Sequence, residues 1–178
     1  MLPGSHLLSV LIFFPAIGAL ALLLLRGDDH VWIRRLALTI SVAEFLLSLL
    51  MIPGVQPGVA GYGLVEYYNW IANPPIHYHL GVDGISLFLV ILTTFLTPIS
   101  ILASWSSIHL RVKEFFVMLL MLEVGVVGVF VSLDLFLFYV FWEVGLVVSA
   151  QMGQRSAHPL RRRVRGLMEV ELRVREGA

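Results

Sequence analysis

Apolar residues fall in long blocks rather than in alternations. Five stretches stand out: Leu7 to Leu25, Leu36 to Ile52, Val82 to Ala103, Phe115 to Leu133 and Leu135 to Ala150. A bilayer core takes about 20 apolar residues, with a range of roughly 17–25. The first four blocks reach that length, and the fifth falls slightly short. The pattern predicts an all-α, multi-pass membrane protein of about five transmembrane helices over residues 1–150, followed by an Arg-rich tail over residues 151–178. The first block is expected to be a retained helix rather than a signal peptide. No Lys or Arg precedes it, and Gly27-Asp28-Asp29 is not a small-residue cleavage site.

Composition strengthens the membrane reading. Hydrophobic residues make up 58% of the 178, well above soluble usage. Cysteine is absent, so this chain has no disulfide, thiolate metal site or cysteine-ligated cluster. A formal net charge of zero argues against nucleic acid, but the charges are unevenly placed. Arg26, Arg34 and Arg35 lie in the first connection, Arg111 and Lys113 in the third, and seven arginines from Arg155 to Arg175 in the tail. The second connection, Pro53 to Gly81, has no Lys or Arg. Basic residues stay on the cytoplasmic or matrix side. The N-terminus and the 53–81 loop are therefore expected outside, and the tail inside.

The outward loop starts turn-rich, with Pro53, Gly54, Pro57, Gly58, Gly61 and Gly63. Leu64 to Ile71, carrying Tyr67, Tyr68 and Trp70, reads either as a short strand or as an interfacial aromatic patch. Asn73-Pro74-Pro75 breaks the segment. Asp83 is placed to cap the third helix, and Pro98 is expected to bend it. His77 and His79 lack the further ligands a metal needs, and read as solvated loop residues. Gly145 and Ser149 form a small-xxx-small pair, a spacing common by chance in apolar sequence.

Three acids, Glu44, Glu123 and Glu143, sit inside apolar blocks. Such residues are costly in a bilayer and usually face a bundle interior or a water path, so proton or ion handling is the first expectation. The turn at Ser132-Leu133-Asp134 makes the last two blocks an antiparallel hairpin. Counted from Leu133, Glu123 and Glu143 each lie ten residues away, roughly 15 Å deep at the helical rise. Two acids at matched depth could share protons along one path, although this arithmetic leaves their lateral separation open. Burial and like charge favour a carboxyl's neutral form, which suits a proton carrier near neutral pH. The competing reading is a neutral, hydrogen-bonded structural acid. Nothing around Glu44 in the sequence adds specificity.

Three stretches are more informative than composition. They are His79-Leu80-Gly81-Val82-Asp83-Gly84-Ile85-Ser86-Leu87, Arg111-Val112-Lys113-Glu114-Phe115-Phe116, and Gly128 through Phe141-Trp142-Glu143. Together they resemble subunit M (chain 4) of the proton-pumping NADH:quinone oxidoreductase, respiratory complex I, one of the antiporter-like subunits. The resemblance runs from Leu7 to about Glu143. It implies a proton-transfer role for Glu143, paired with a lysine on a later broken helix, and for Glu123. It implies no cofactor in this chain, with flavin and iron–sulfur clusters in other subunits and no direct NADH binding. The partners implied are other membrane subunits and the lipid bilayer, in a bacterial plasma membrane or mitochondrial inner membrane. The alternatives are a subunit of a multisubunit cation/proton antiporter, or a non-catalytic membrane scaffold.

From Val144 onward the sequence leaves the family pattern, and the tail from His158 matches nothing in it. The change reads as a truncation or frameshift, and the chain alone is expected to be inactive. Leu160, Val164, Leu167 and Met168 leave the tail some helix potential, and its arginines suit anionic lipid. Both features also arise by accident in an out-of-frame peptide.

Overall fold

The computed structural model describes residues 6–27, 29–55, 61–71, 73, 76–109 and 111–153. The tail expectations fall on residues 154–178 and lie outside the described residues. Within them run α1 (Leu7–Leu24), α2 (His30–Leu49), β1 (Leu64–Ile71), β2 (Ile76–Val82), α3 (Gly84–Ala103), α4 (Val112–Val131) and α5 (Leu135–Gly153). All five helices are long and apolar enough to cross a membrane. Their outer faces carry large apolar side chains such as Ile17, Leu24, Phe88 and Leu135, as lipid-facing surfaces do.

The bundle is built around α4, which touches α1, α2 and α3 and carries α5 on its remaining side. Near the hairpin end, Leu11 and Ile12 pack with Leu80, Val90, Val127 and Phe141. At the other end Leu22, Ile33, Ile101 and Phe116 form a second cluster. Only 11% of the α5 span is buried, against 44% for α4. The fifth helix is thus peripheral, with most of its surface open.

One element departs from an all-helical expectation. β1 does form a strand, but it pairs antiparallel with β2, in a segment expected to be loop and helix start. The signal was present: Ile76, Tyr78, Leu80 and Val82 alternate with His77, His79 and Gly81, the period of a strand. The hairpin is fixed at two points. Glu66 of β1 is buried and accepts from Leu8 N at 2.7 Å and from Ser9, so a strand carboxylate caps the first turn of α1. Ser9 Oγ also meets Tyr78 Oη at 2.9 Å. Across the hairpin, Leu80 bridges Ser132, and Leu133 N donates to His79 O at 2.9 Å. The α4–α5 turn thereby docks onto β2.

Asp83 caps α3 as expected, accepting from Ser86 N at 2.7 Å. The Ser86 amide and the neighbouring backbone donors hold its carboxyl below the ordinary value of 3.8. A depressed carboxyl stabilises the fold fully above its unfolded value and loses that contribution as pH falls through the folded one. Asp83→Ala is expected to cost about 1 kcal/mol at neutral pH, measured by thermal unfolding in detergent. The cost should shrink only in acid below the ordinary carboxylate range. Equal stability of the variant and the parent at pH 7 would show that the cap is idle.

Candidate functional site

The buried polar residues gather along one line. Apart from Glu66, the described buried polar side chains are Ser41, Glu44 and Ser48 of α2, Thr94 and Thr97 of α3, and Glu123 of α4. On α2 the spacing is three and then four residues, which places all three on one helix face. Thr94 and Thr97 repeat the spacing on α3. The small side chains satisfy themselves locally: Ser41 donates to Leu38 O, Ser48 to Phe45 O and Thr97 to Thr93 O. Ser48 Oγ and Thr94 Oγ1 also meet across the helix interface at 2.9 Å.

Glu44 is completely buried and Glu123 is 2% exposed. The two acids lie on packed helices and close enough to interact electrostatically, with Thr97 beside Glu123. All four carboxyl oxygens are sealed from solvent, and none makes a hydrogen bond of normal geometry. An apolar surrounding makes two adjacent full charges very costly. The arrangement is suited to holding protons between the acids.

Glu143 lies elsewhere. It is on the exposed side of α5, between the outward-facing Trp142 and Val144 to Leu146. The structure therefore brings Glu123 to Glu44 and not to Glu143. The neighbours of Glu44 lie on α3 and α4, distant in sequence, so no adjacent residue along the chain marks it. The signal available was the spacing of Ser41, Glu44 and Ser48.

The remaining candidates also find places. Gly145, flagged only by spacing, lies directly against Gly125, where a Cβ on Gly125 would sit 2.8 Å from Gly145 N. Ser149 is exposed and donates to Leu146 O. His77 and His79 are strand residues stacked or edge-on to Tyr67, each with ring centroids 5.2 Å away. His77 Nδ1 also approaches Asp134 Oδ2 at 3.9 Å. Among the described residues, no group of three or more His, Asp or Glu is arranged to hold a metal ion. Lys113, the sole lysine, donates to Leu23 O and Leu25 O at 2.6 and 2.7 Å, tying α4 to the end of α1.

The family described as NADH-ubiquinone oxidoreductase chain 4, amino terminus, matches residues 10–128. The chain belongs to this family. Subunit M of the NADH-quinone oxidoreductase of Rhodobacter capsulatus is 44% identical over 147 residues, covering 80% of this chain and 28% of that protein. Chain 4 of the NADH-ubiquinone oxidoreductase of Arabidopsis thaliana is 41% identical over 140 residues, covering 79% and 28%. The chain thus spans just over a quarter of the length of the chain 4 relatives it matches. A solved structure of an archaeal respiratory membrane complex, the membrane-bound sulfane sulfur reductase, aligns with a TM-score of 0.67 at 18% identity. It covers 83% of this chain and 23% of its counterpart there, a likeness of fold. The chain 4 family match includes Glu44 and Glu123 and ends before Glu143.

Proposed function

We propose that the chain supplies five helices to a membrane subunit of a proton-translocating NADH:quinone oxidoreductase. It performs no redox step itself. Electron transfer from NADH to quinone takes place on flavin and iron–sulfur clusters of other subunits, and this chain contributes ionisable groups to the proton path. Membership of the chain 4 family supports this reading, as does the position of Glu143. An acid on the open face of a peripheral helix is stable in a bilayer only beside a polar partner. Neighbouring helices or subunits with a basic group would meet that need, and proton uptake or release at Glu143 would then be set by the charge of the partner.

The bundle supports an orientation as well. Arg34 donates to Ile108 O, and Lys113 holds the end of α1, so these basic residues sit at the end away from the hairpin. By the charge rule that end faces the cytoplasm or matrix, and the hairpin faces outward.

A tagged chain produced in its own host should co-purify with NADH-oxidising flavoprotein subunits. Glu143→Gln should leave insertion intact and lower NADH-driven proton uptake by membrane vesicles several-fold. In liposomes holding this chain alone, proton flux should not exceed that of empty liposomes. Co-purification with small antiporter subunits and no NADH oxidation would instead favour a cation/proton antiporter.

A further inference from the structure

We propose that Glu44 and Glu123 form a single proton-exchange site, two carboxyl groups sharing one proton between α2 and α4, distinct from Glu143. The site deepens the proton-handling reading of Glu123 and rests on it only for its purpose. Its existence rests on geometry.

Two buried acids from packed helices lie within electrostatic reach of each other, and among the described residues no hydrogen-bond donor satisfies any of their four oxygens. A buried acceptor without a donor is costly, and more so when charged. A proton held between the two groups supplies a donor to both at once. Among the described residues no basic side chain is placed to neutralise them. The helical spans of α1 and α3 contain no titratable residue. His30, Arg34 and Arg35 of α2, with Lys113 and Glu114 of α4, lie at the far ends of their helices. At the helical rise Arg34 is roughly 15 Å from Glu44, and Lys113 is roughly as far from Glu123. Tyr139 and Glu143 of α5 are exposed on the far side of α4.

The surrounding hydroxyls give the pair a polar route. Ser48 and Thr94 lie one turn toward the hairpin, and Ser41 one turn toward the opposite end. Ser41 and Thr97 spend their hydrogen on their own helix carbonyls, leaving oxygen lone pairs free to accept from a water or an acid proton. The exchange balances simply. One proton from water converts the singly charged pair into two neutral carboxyl groups, forming one O–H bond, and release to water reverses it.

The test uses the full chain in lipid nanodiscs with Glu143→Gln as background, read by infrared spectroscopy of the protonated carboxyl C=O band. Between about pH 5 and pH 9 the band should change in amplitude with pH, and it should shift on transfer to deuterium oxide. Glu44→Gln should move the titration midpoint by about one pH unit or more, because it removes the coupled acid. The double variant Glu44→Gln, Glu123→Gln should lose the band. A band that stays constant over that pH range and resists deuterium would mean two inert structural acids, and would overturn the proposal without any substitution. A midpoint unmoved by Glu44→Gln would equally sink it, as would a band surviving in the double variant. The background lacks Glu143 and the readout is not pumping, so failure here leaves the proposed function standing, and the reverse holds too.

Discussion

Gly125→Val should split α5 from the bundle. A Cβ at this position would lie 2.8 and 2.9 Å from the N and Cα of Gly145 and 3.1 Å from the carbonyl of Phe141. These are backbone atoms, so no rotamer change makes room, and the helices must move apart. Overpacking of this kind costs about 3 kcal/mol. The cost here includes loss of the contact between Phe141 and Gly128, where a Cβ on Gly128 would also clash. The reciprocal substitution behaves differently. A Cβ on Gly145 meets nothing within 4 Å, so Gly145→Ala should leave stability almost unchanged. Thermal unfolding in detergent, followed by helical circular dichroism, compares the two. A Gly145→Ala variant as damaged as Gly125→Val would show that the helix contact is not the one described.

The second large effect is expected at Glu66. Its carboxylate accepts from Leu8 N, Ser9 N and Ser9 Oγ, in a buried corner where α1 begins. Glu66→Ala removes the acceptor and strands the buried Leu8 amide. Bonds to a charged acceptor contribute about 1.5–3 kcal/mol, and an unsatisfied amide adds to the loss. A cost of about 3 kcal/mol follows, with Glu66→Gln recovering part of it through its remaining oxygen. Amide hydrogen exchange in the first turn of α1 and in β1 should quicken together, because one side chain joins them. Faster exchange in α1 alone would mean that the hairpin is held by other contacts, such as Asp134. Slight burial alone would raise the Asp134 carboxyl, but the amides of His77, Leu137 and Phe136 outweigh it and hold it below the ordinary range. That turn therefore stays anchored at neutral pH.

Both predictions concern residues that carry little weight in the linear sequence. Gly125 is one small residue among many in an apolar helix, and Glu66 is one acid in a loop. Each matters because of an atom more than ten residues away. Asp83 is the contrasting case: its partner, Ser86 N, lies three residues on, so the cap could be read directly.

Features that depend on short-range chemistry are legible along the chain. Long apolar blocks dictate membrane helices, because a bilayer gives the backbone no other partner. Basic residues mark one end of the bundle, Asp83 starts α3, and the run ending in Phe141-Trp142-Glu143 carries the family pattern. The alternation in Ile76–Val82 was also legible, although it reads as a strand only once β1 is there to pair with it. The tertiary structure alone decided which acid meets which. Depth along a helix follows from residue count, since the rise is fixed, and so Glu123 and Glu143 could be set level. Direction around the helix depends on which neighbours pack against it. That packing turned Glu123 inward to Glu44 and left Glu143 on the open face of α5.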